Sequence, residues 1–283
     1  MSKYAPSFLR LVLFRLVSRW RLIVALVVAA VLVACATSPT GRKQFMLFSP
    51  SDSEMSKLGA TAFTDLKKKQ KISTDPAVNQ YVSCVSQTLL RTLPGDKGQG
   101  WEVTVFDDKT PNAFALPGKK IGVHTGILKV AKNQAQLAAV IGHEIGHVEA
   151  RHSGERLSVN TAATSAAVVG AILIGSNTSE RNTALAALGA GAAVGVVLPF
   201  SRAHESEADT LGLRYMAQAG FDPKEAVTLW QNMAKEGGAK PPEFLSTHPA
   251  DSTRMAGLGR QLPGVLPVYQ QALASGRKPA CTM

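Results

Sequence analysis

The chain lacks the features of a nucleic-acid-binding protein, although its formal net charge is +11. No basic run is interleaved with aromatic residues, as contact with phosphates and stacked bases would require. Acidic residues are missing before residue 35, where five of the 31 basic residues lie. Removing those five from the 31 leaves 26 basic residues against 20 acidic ones, a net charge of +6. This mildly basic surface argues against a nucleic-acid partner.

A long apolar run is also missing. The apolar stretch at residues 22–34 has 13 residues, fewer than the roughly 20 of a comfortable membrane-spanning helix. It follows a basic segment that runs to Arg21, and it ends in Leu-Val-Ala-Cys at Cys35, which resembles a bacterial lipobox. We expect residues 1–34 to be a lipoprotein signal peptide and Cys35 to be the lipidated start of a tether, residues 35–50. An uncleaved signal anchor is the alternative.

Cysteine is scarce, with three residues in the chain. Export places the protein in an oxidising compartment, and alanine at position 36 resembles lipoproteins sorted to the outer membrane. We therefore expect a periplasmic protein anchored at the inner leaflet of that membrane. With Cys35 acylated, we predict that Cys84 and Cys281 form a disulfide tying the C-terminal tail to an early helix. Two unpaired buried thiols are the alternative.

Helical patterning covers residues 51–93. Ser51 and Ser53 are candidate N-caps of a first helix, and Asp75 followed by Pro76 is typical of the start of a second. Apolar residues of the first helix fall on one stripe, and those of the second are predicted to face the core. The two sets are Met55, Leu58, Phe63 and Leu66, and then Val78, Tyr81, Val82, Val85 and Leu89.

In residues 101–126 the pattern of apolar residues changes from helical spacing to alternation. Residues 101–106 alternate like a strand, and residues 120–126 form a second short run of this kind, which predicts a small β-sheet. An edge strand of such a sheet can pair with an extended peptide. His124 lies in the second run. We interpret it as an ordinary packed or surface histidine, with an extra metal ligand as the alternative.

The most informative stretch is His143-Glu144-Ile-Gly-His147, in a segment of good helix formers. On a helix the two histidines project from the same face, so both imidazoles can reach one cation. Glu144 lies about 100° round the helix, where its carboxylate can serve as a general base without being a ligand. Gly142 and Gly146 each cost roughly 1 kcal/mol relative to alanine in a helix. We therefore expect another backbone, or a substrate, to come close to them.

This helix supplies only two ligands, so a third is expected downstream. Residues 201–212 open another helix, on which Glu205 and Asp209 share one face. Glu205 suits a zinc site of two histidines and one glutamate, and Asp209 can orient a ligating histidine. Glu207 points away by about 200° and is the weaker candidate. His204 lies off the ligand face and is interpreted as a rim residue.

Small apolar residues dominate residues 161–199, between the two motifs, with a polar interruption at residues 175–182. The two apolar runs are short for spanning a bilayer. We interpret the segment as a close-packed helical hairpin. A mobile or membrane-touching lid over the site is the alternative.

H-E-I-G-H, followed about 60 residues later by E-S-E-A-D, resembles the gluzincin zinc metallopeptidases of the HtpX and CAAX prenyl endopeptidase family. The sequence Ser-Pro-Thr-Gly-Arg-Lys-Gln at residues 38–44, together with residues 112–118 and 244–249, is similar to the periplasmic lipoprotein (LoiP-like) branch. The likeness covers nearly all of the mature chain. It implies a mainly helical α+β, zincin-type domain over residues 51–283, with a small sheet beside the H-E-x-x-H helix.

The resemblance also implies the roles of individual residues. One zinc ion would be bound by His143, His147 and Glu205, with Glu144 as the general base that activates water. In BepA-like relatives, which carry a tetratricopeptide domain that we do not expect here, a further histidine lies at the active site and can act as a gating fourth ligand. Two residues match that pattern and are expected to contact the zinc or the developing oxyanion, namely His248 and Arg254. A helix-capping turn before Pro249 is the alternative.

We therefore expect a lipid-anchored zinc metalloendopeptidase that hydrolyses misfolded or unassembled envelope proteins. One alternative is a lipid-anchored binding or assembly factor, with a latent or structural zinc site gated by His248. Another is a membrane-perturbing protein that acts through residues 161–199.

Overall fold

The computed structural model describes residues 35–173, 198–236, 244, 248 and 252–283. The predicted signal peptide, residues 1–34, lies outside this part of the chain. Most of the predicted hairpin or lid, residues 161–199, also lies outside it. None of the helices in the described part has both the length and the hydropathy that a membrane-spanning helix needs.

The described residues form seven α-helices and two small sheets, which confirms the mainly helical α+β prediction. The strands are β1 (Cys35–Thr37), β2 (Lys43–Phe45), β3 (Glu102–Phe106), β4 (Ala113–Leu116) and β5 (Lys120–His124). The helices are α1 (Asp52–Lys69), α2 (Pro76–Leu90), α3 (Gln134–Glu149), α4 (His152–Leu173), α5 (Leu198–Ala219), α6 (Glu225–Glu236) and α7 (Ser252–Ala274). A 3₁₀ turn at Thr125–Lys129 follows β5.

Local sequence explains where α1 and α2 begin. The Ser51 hydroxyl accepts a hydrogen bond from the backbone N–H of Glu54, whose carboxylate accepts from the N–H of Ser51, so two otherwise unpaired donors are satisfied. Asp75 accepts hydrogen bonds from two backbone N–H groups at the start of α2. Pro76 has no N–H to lose at the first helical position. Ser51 and Asp75 are therefore the N-caps, as predicted.

The buried face of α1 differs from the predicted stripe. Leu58 is 58% exposed, whereas Gly59 and Phe63 are buried. Gly59 lies directly against the backbone of Pro117, in the turn after β4. The contact therefore runs along Gly59 and Phe63, and Leu58 lies about 100° away from Gly59 on the helix.

In the three-stranded sheet β5 is central, parallel to β3 and antiparallel to β4. β3 and β5 correspond to the two predicted strands. β4 was not predicted, because its sequence Ala-Phe-Ala-Leu contains no β-branched residue and only one aromatic one. Residues 71–73 cover part of the outer edge of β3. β4 is therefore the open edge strand, and it packs beside α3.

Helix α3 is the centre of the fold. Every residue from Ala135 to His147 is buried, which requires neighbours on all sides of the helix. Those neighbours are α2, α4, α5, α6 and β4, and the predicted core side chains of α2 pack into the same cluster.

The backbones of α3 and α5 touch where they cross. A Cβ atom added to Gly146 would lie 2.9 Å from the carbonyl oxygen of Ala208, and one added to Gly142 would lie 3.3 Å from that of Gly212. On the other helix, a Cβ atom on Gly212 would lie 3.0 Å from the backbone nitrogen of His143. The expectation that another backbone comes close to the two glycines of α3 is confirmed, and α5 supplies that backbone.

Residues 36–45, which were expected to belong to a tether, pack onto the helices. β1 and β2 pair antiparallel, and Ser38 and Gln44 are buried. The side chain of Gln44 donates to the carbonyl oxygen of Ala150, at the end of α3. We call residues 36–45 the strap. Lipidation of Cys35, immediately before it, stays a prediction.

Cys84 of α2 and Cys281 of the C-terminal tail form the predicted disulfide, with their Cα atoms 5.7 Å apart. The backbone N–H of Cys281 also donates to Gln134 at the start of α3. The tail is therefore fixed to both α2 and α3.

Replacing Gly146 by alanine is expected to destabilise the protein. The helix gains about 1 kcal/mol of intrinsic propensity, but the new methyl group meets the backbone of α5, and overpacking of this kind costs about 1–3 kcal/mol. Gly259→Ala in α7 is the matched control, because nothing lies within 4 Å of its added Cβ. We expect chemical denaturation to show a net loss for Gly146→Ala and a small gain for Gly259→Ala. A gain in both would contradict the close contact.

Candidate metal centre

Four side chains converge where α3 meets α5. His143 and His147 of α3, Glu205 of α5 and His248 each offer one nitrogen or oxygen atom, and the four atoms lie within 4.8 Å of one another. The first three side chains are buried, and His248 is partly exposed. The structure thus brings the three predicted ligands together with the predicted gating histidine.

The spacing of these donor atoms suits zinc. Nε2 of His143 lies 3.0 Å from Nε2 of His147 and 3.3 Å from Oε2 of Glu205. Nδ1 of His248 lies 3.3 Å from the same His143 atom and 2.9 Å from Oε2 of Glu205. Ligands at about 2.0–2.1 Å from a tetrahedral zinc stand about 3.3–3.4 Å apart. The donor set therefore fits the ion.

Glu205 provides a second sign of fit. Its Oε1 atom is buried and accepts no hydrogen bond from any described residue, which is costly unless a cation is bound. Burial by itself would raise the pKa of Glu205, but the neighbouring imidazoles of His143, His147 and His248 outweigh burial and hold that pKa far below its ordinary value. The carboxylate stays ionised. Burial also holds the pKa of His147 well below its ordinary value, which keeps this imidazole neutral, as a ligand must be.

Asp209 fixes the orientation of His143. Its Oδ1 atom lies 2.9 Å from Nδ1 of His143, so this nitrogen donates and Nε2 keeps its lone pair toward the other donors. Arg254 donates to both carboxylate oxygens of Asp209, at 2.8 and 2.7 Å. Burial would raise the pKa of Asp209, but the charge of Arg254 and the hydrogen bond with His143 lower it to about 2.

Arg254 lies against two of the donor atoms, with its Nη2 3.2 Å from Nε2 of His143. Its Nη1 is 3.0 Å from Oε2 of Glu205, and the guanidinium lies 3.6 Å from the centre of the Trp230 ring. The residue is only 9% exposed. These contacts position Glu205 and Asp209, and the expected contact of Arg254 with the zinc or the developing oxyanion stays a prediction.

Glu144 lies beside the donor atoms. Its Oε2 accepts a hydrogen bond from the backbone N–H of Ala115 in β4, at 3.1 Å, and its Oε1 lies 3.5 Å from Nε2 of His248. Burial raises the pKa of Glu144, although the charges of His248 and His143 oppose the rise. A carboxylate with a raised pKa is suited to accept a proton and return it.

A cleft of about 440 Å³ opens along β4, next to Glu144, His147 and His248. Residues of an antiparallel strand alternate between the paired and the outer edge, so Ala113 and Ala115 direct their backbone polar groups away from β5. His124 also lines the cleft but lies among the rings of Phe106 and Phe114, apart from the donor cluster. Its interpretation as a packed histidine is confirmed.

The sequence profile of peptidase family M48 matches residues 76–261, more than half of the chain. The chain belongs to peptidase family M48. Metallopeptidases of this family use zinc, which agrees with the predicted cofactor and with the donor set. The zinc metallopeptidase family implied by the two motifs is therefore confirmed.

Relatives of this M48 chain occur in eukaryotes and bacteria. The mitochondrial metalloendopeptidase OMA1 of Schizosaccharomyces pombe is 40% identical over 185 residues, 65% of this chain and 52% of the relative. The putative beta-barrel assembly-enhancing protease of Vibrio cholerae is 32% identical over 196 residues, 67% of this chain and 40% of the relative. The beta-barrel assembly-enhancing protease of Escherichia coli K12 is 27% identical over 213 residues, which cover 73% of this chain and 43% of the relative. The chain spans about half or less of the length of these relatives.

Behind His147, this M48 chain has a buried polar cluster that the sequence analysis missed. We call it the strap cluster, and its members are Arg42, Gln44, His152, Glu155, His204 and Glu207. Helices α4 and α5 each contribute a histidine and a glutamate three residues apart. Each histidine pairs with the glutamate of the other helix, His152 with Glu207 at 3.1 Å and His204 with Glu155 at 3.0 Å. This repeated His-x-x-Glu spacing was the available signal, because such residues share a helix face.

The strap cluster corrects one interpretation and supports another. His204 is 1% exposed and its ring stacks on that of His152, so it is not a rim residue. The side of α5 that carries it is covered by α4 and the strap. Glu207 does point away from the donor atoms, as predicted, and accepts hydrogen bonds from Arg42, Ser38 and Thr40.

The strap cluster keeps its two carboxylates ionised despite burial. Burial would raise the pKa of Glu155, but hydrogen bonds from His204 and Arg42 lower it to about 2. Burial would also raise the pKa of Glu207, but hydrogen bonds from His152, Ser38 and Thr40 lower it. For His152, burial dominates and lowers the pKa to about 4, so the imidazole is neutral at pH 7.

We expect Asp209→Asn to weaken zinc binding roughly 10–100-fold, because a neutral amide holds the proton on Nδ1 of His143 less strongly and carries no charge to pair with Arg254. Asp107→Asn is the matched control, since it changes only an exposed ion pair with Lys71. Competition with a chromogenic zinc chelator measures both affinities. Equal affinity in the two variants would show that Asp209 does not orient a ligand.

Proposed function

We propose that this chain is a zinc endopeptidase that hydrolyses peptide bonds in extended segments of protein substrates. The position of Glu144 carries the proposal, because its carboxylate lies between the donor cluster and the N–H of Ala115 on the open edge strand. Membership of family M48 supports it. So do the printed names of the relatives, which are metalloendopeptidases and proteases.

In this proposal His143, His147 and Glu205 hold the zinc ion. When bound, zinc supplies Lewis-acid chemistry, which polarises a carbonyl group and makes water more acidic. The protein contributes a prearranged set of donors. Asp209 keeps Nε2 of His143 available, and Glu205 stays ionised because its pKa is far below the ordinary value.

Glu144 moves the protons. It accepts a proton from the water that attacks the scissile carbonyl, and it delivers a proton to the leaving amine. Its Oε1 atom, which accepts no hydrogen bond from any described residue, faces His248 and the cleft. The raised pKa helps the second transfer, because burial favours the protonated form of the carboxyl group that delivers the proton.

The substrate lies along β4. A peptide strand that pairs with this edge uses the backbone groups of Ala113 and Ala115, so recognition depends little on side chains and suits unfolded segments. Such a strand competes with Glu144 for the N–H of Ala115. Peptide binding therefore releases Oε2 of the general base at the time when it is needed.

We further infer that the protein acts in the bacterial envelope, on misfolded or unassembled envelope proteins, as a lipoprotein anchored at Cys35 on the periplasmic face of the outer membrane. The lipobox-like sequence supports this placement, and the Cys84–Cys281 disulfide suits an oxidising compartment. The residues that match the periplasmic lipoprotein (LoiP-like) branch support it as well. Some relatives are named as beta-barrel assembly-enhancing proteases, which favours outer-membrane proteins as substrates.

A second candidate function rests on His248. Its Nδ1 atom stands at tetrahedral spacing from His143 and Glu205, so four protein atoms can complete the coordination. A closed zinc site supports a fold but leaves no position for water. A lipid-anchored binding or assembly factor with a latent zinc site would have this arrangement. We favour a peptidase gated by His248, because Glu144 and the cleft serve no purpose in a purely structural site.

Glu144→Gln is expected to retain zinc and to lose roughly 10²–10⁴-fold in hydrolysis of an unfolded protein, the usual contribution of a general base. Casein cleavage and zinc content are measured on the full chain in detergent. Glu149→Gln on the same helix is the matched control, since Glu149 pairs with the exposed Lys97. Near-normal cleavage by Glu144→Gln, in a preparation free of other proteases, would refute the mechanism.

His248→Ala tests the gate. We expect this variant to keep zinc on the three remaining donors and to cleave casein several-fold faster than the wild type, because a protein ligand no longer competes for the fourth position. Activity confined to His248→Ala would indicate a latent site. Absence of cleavage in the wild type and in this variant, with zinc bound to both, would favour the binding factor. A loss of activity relative to the wild type would assign His248 to transition-state stabilisation.

A further inference from the structure

A chain of hydrogen bonds leads from His147 into the strap cluster. Nδ1 of His147 lies 2.8 Å from Nδ1 of His152, and Nε2 of His152 lies 3.1 Å from Oε2 of Glu207. The ionised Glu207 can only accept, so Nε2 of His152 carries a proton and its Nδ1 has a lone pair. Nδ1 of His147 therefore donates to His152. This leaves the lone pair of His147 on Nε2, the atom that belongs to the donor cluster.

The strap determines the position of Glu207. Nε of Arg42 donates to Oε2 of Glu207 at 2.6 Å, and the same guanidinium donates to both oxygens of Glu155. The hydroxyls of Ser38 and Thr40 donate to the other oxygen of Glu207. The two glutamate side chains are 0% and 3% exposed, whereas the arginine is 23% exposed. One arginine from the edge of the fold thus balances two buried carboxylates, each of which needs a partner.

The forked guanidinium group of Arg42, with its several N–H donors, is required for this geometry. A guanidinium presents several donors in fixed directions and can hold two carboxylates at once, whereas an ammonium group acts as a single point charge. Lys43, the next residue of the strap, shows the contrast, because its ammonium donates to the Thr37 hydroxyl at the exposed surface.

We propose that the strap is a structural part of the zinc site, in which Arg42 holds Glu207, Glu207 holds His152, and His152 sets the ring orientation of His147. Arg42, Glu207 and His152 are positioning residues. The inference rests on the proposed function, because it takes His147 as a zinc ligand. It adds that residues far from the H-E-x-x-H helix in sequence determine how that ligand is presented.

The test compares Arg42→Lys and His152→Phe with the control Lys43→Ala, all in the full chain purified in detergent. Arg42→Lys keeps the charge but not the fork, and His152→Phe keeps an aromatic ring against His204 but removes both ring nitrogens. Zinc affinity is measured by chelator competition, and the visible absorption spectrum of the Co²⁺-substituted protein reports the ligand geometry. Circular dichroism and thermal unfolding report the fold.

We expect Arg42→Lys and His152→Phe to bind zinc roughly 10–100-fold more weakly than the wild type and to shift the Co²⁺ spectrum, because partners of ligating histidines have effects of this size. Lys43→Ala should match the wild type in both. If Arg42→Lys does not fold, Thr40→Val replaces it, since it removes only one hydrogen bond to Glu207, and a smaller change in the same direction is expected.

Wild-type zinc affinity and an unchanged Co²⁺ spectrum in every folded variant would overturn the proposal and leave the strap as a stabilising element only. This result is distinct from failure of the proposed function. If the proposed function fails, the wild type itself binds no zinc, or binds zinc and cleaves nothing.

Discussion

The close crossing of α3 and α5 is the contact on which the site depends. Gly142 and Gly146 on one helix, and Ala208 and Gly212 on the other, have so little side chain that the two backbones touch. Glu205 lies one turn from Ala208, so its short side chain reaches both histidines of α3 without an extended loop. A larger residue at the crossing would separate the helices and with them the donor atoms. The glycines lower the intrinsic helix propensity, but they allow the close approach that brings the ligands together.

Around this crossing, each histidine of the H-E-x-x-H motif leads to a carboxylate that an arginine contacts, directly for His143 and through His152 for His147. His143 donates to Asp209, which is bound by Arg254 from α7. His147 connects through His152 and Glu207 to Arg42 from the strap. One chain of contacts begins at Arg42 and the other at Arg254, and both lead to the H-E-x-x-H helix. The buried carboxylates of Asp209 and Glu207 are tolerated because each contacts an arginine.

The arrangement separates rigid and accessible parts of the site. His143, Glu205 and Asp209 lie in the buried interior, whereas His147, His248 and the outer edge of β4 border the cleft. Glu144 lies at the boundary, with one oxygen held by β4 and the other directed toward His248. Fixed metal ligands and an exchangeable substrate strand can therefore coexist in a small domain.

The sequence by itself determined the local features, because these depend on residues close in the chain. Helical spacing placed His143, His147, Glu205 and Asp209 on defined faces, and the caps of α1 and α2 followed from neighbouring donors and acceptors. Only the tertiary structure decided what met those faces. It placed Arg254 against Glu205 and Asp209, buried His204, made β4 an edge strand and turned the expected tether into a strap whose Arg42 lies against α4 and α5. The contacts of Arg254, His204 and Arg42 join residues more than 40 positions apart, and such pairings leave no periodic signal in the sequence, because they depend on how the helices pack.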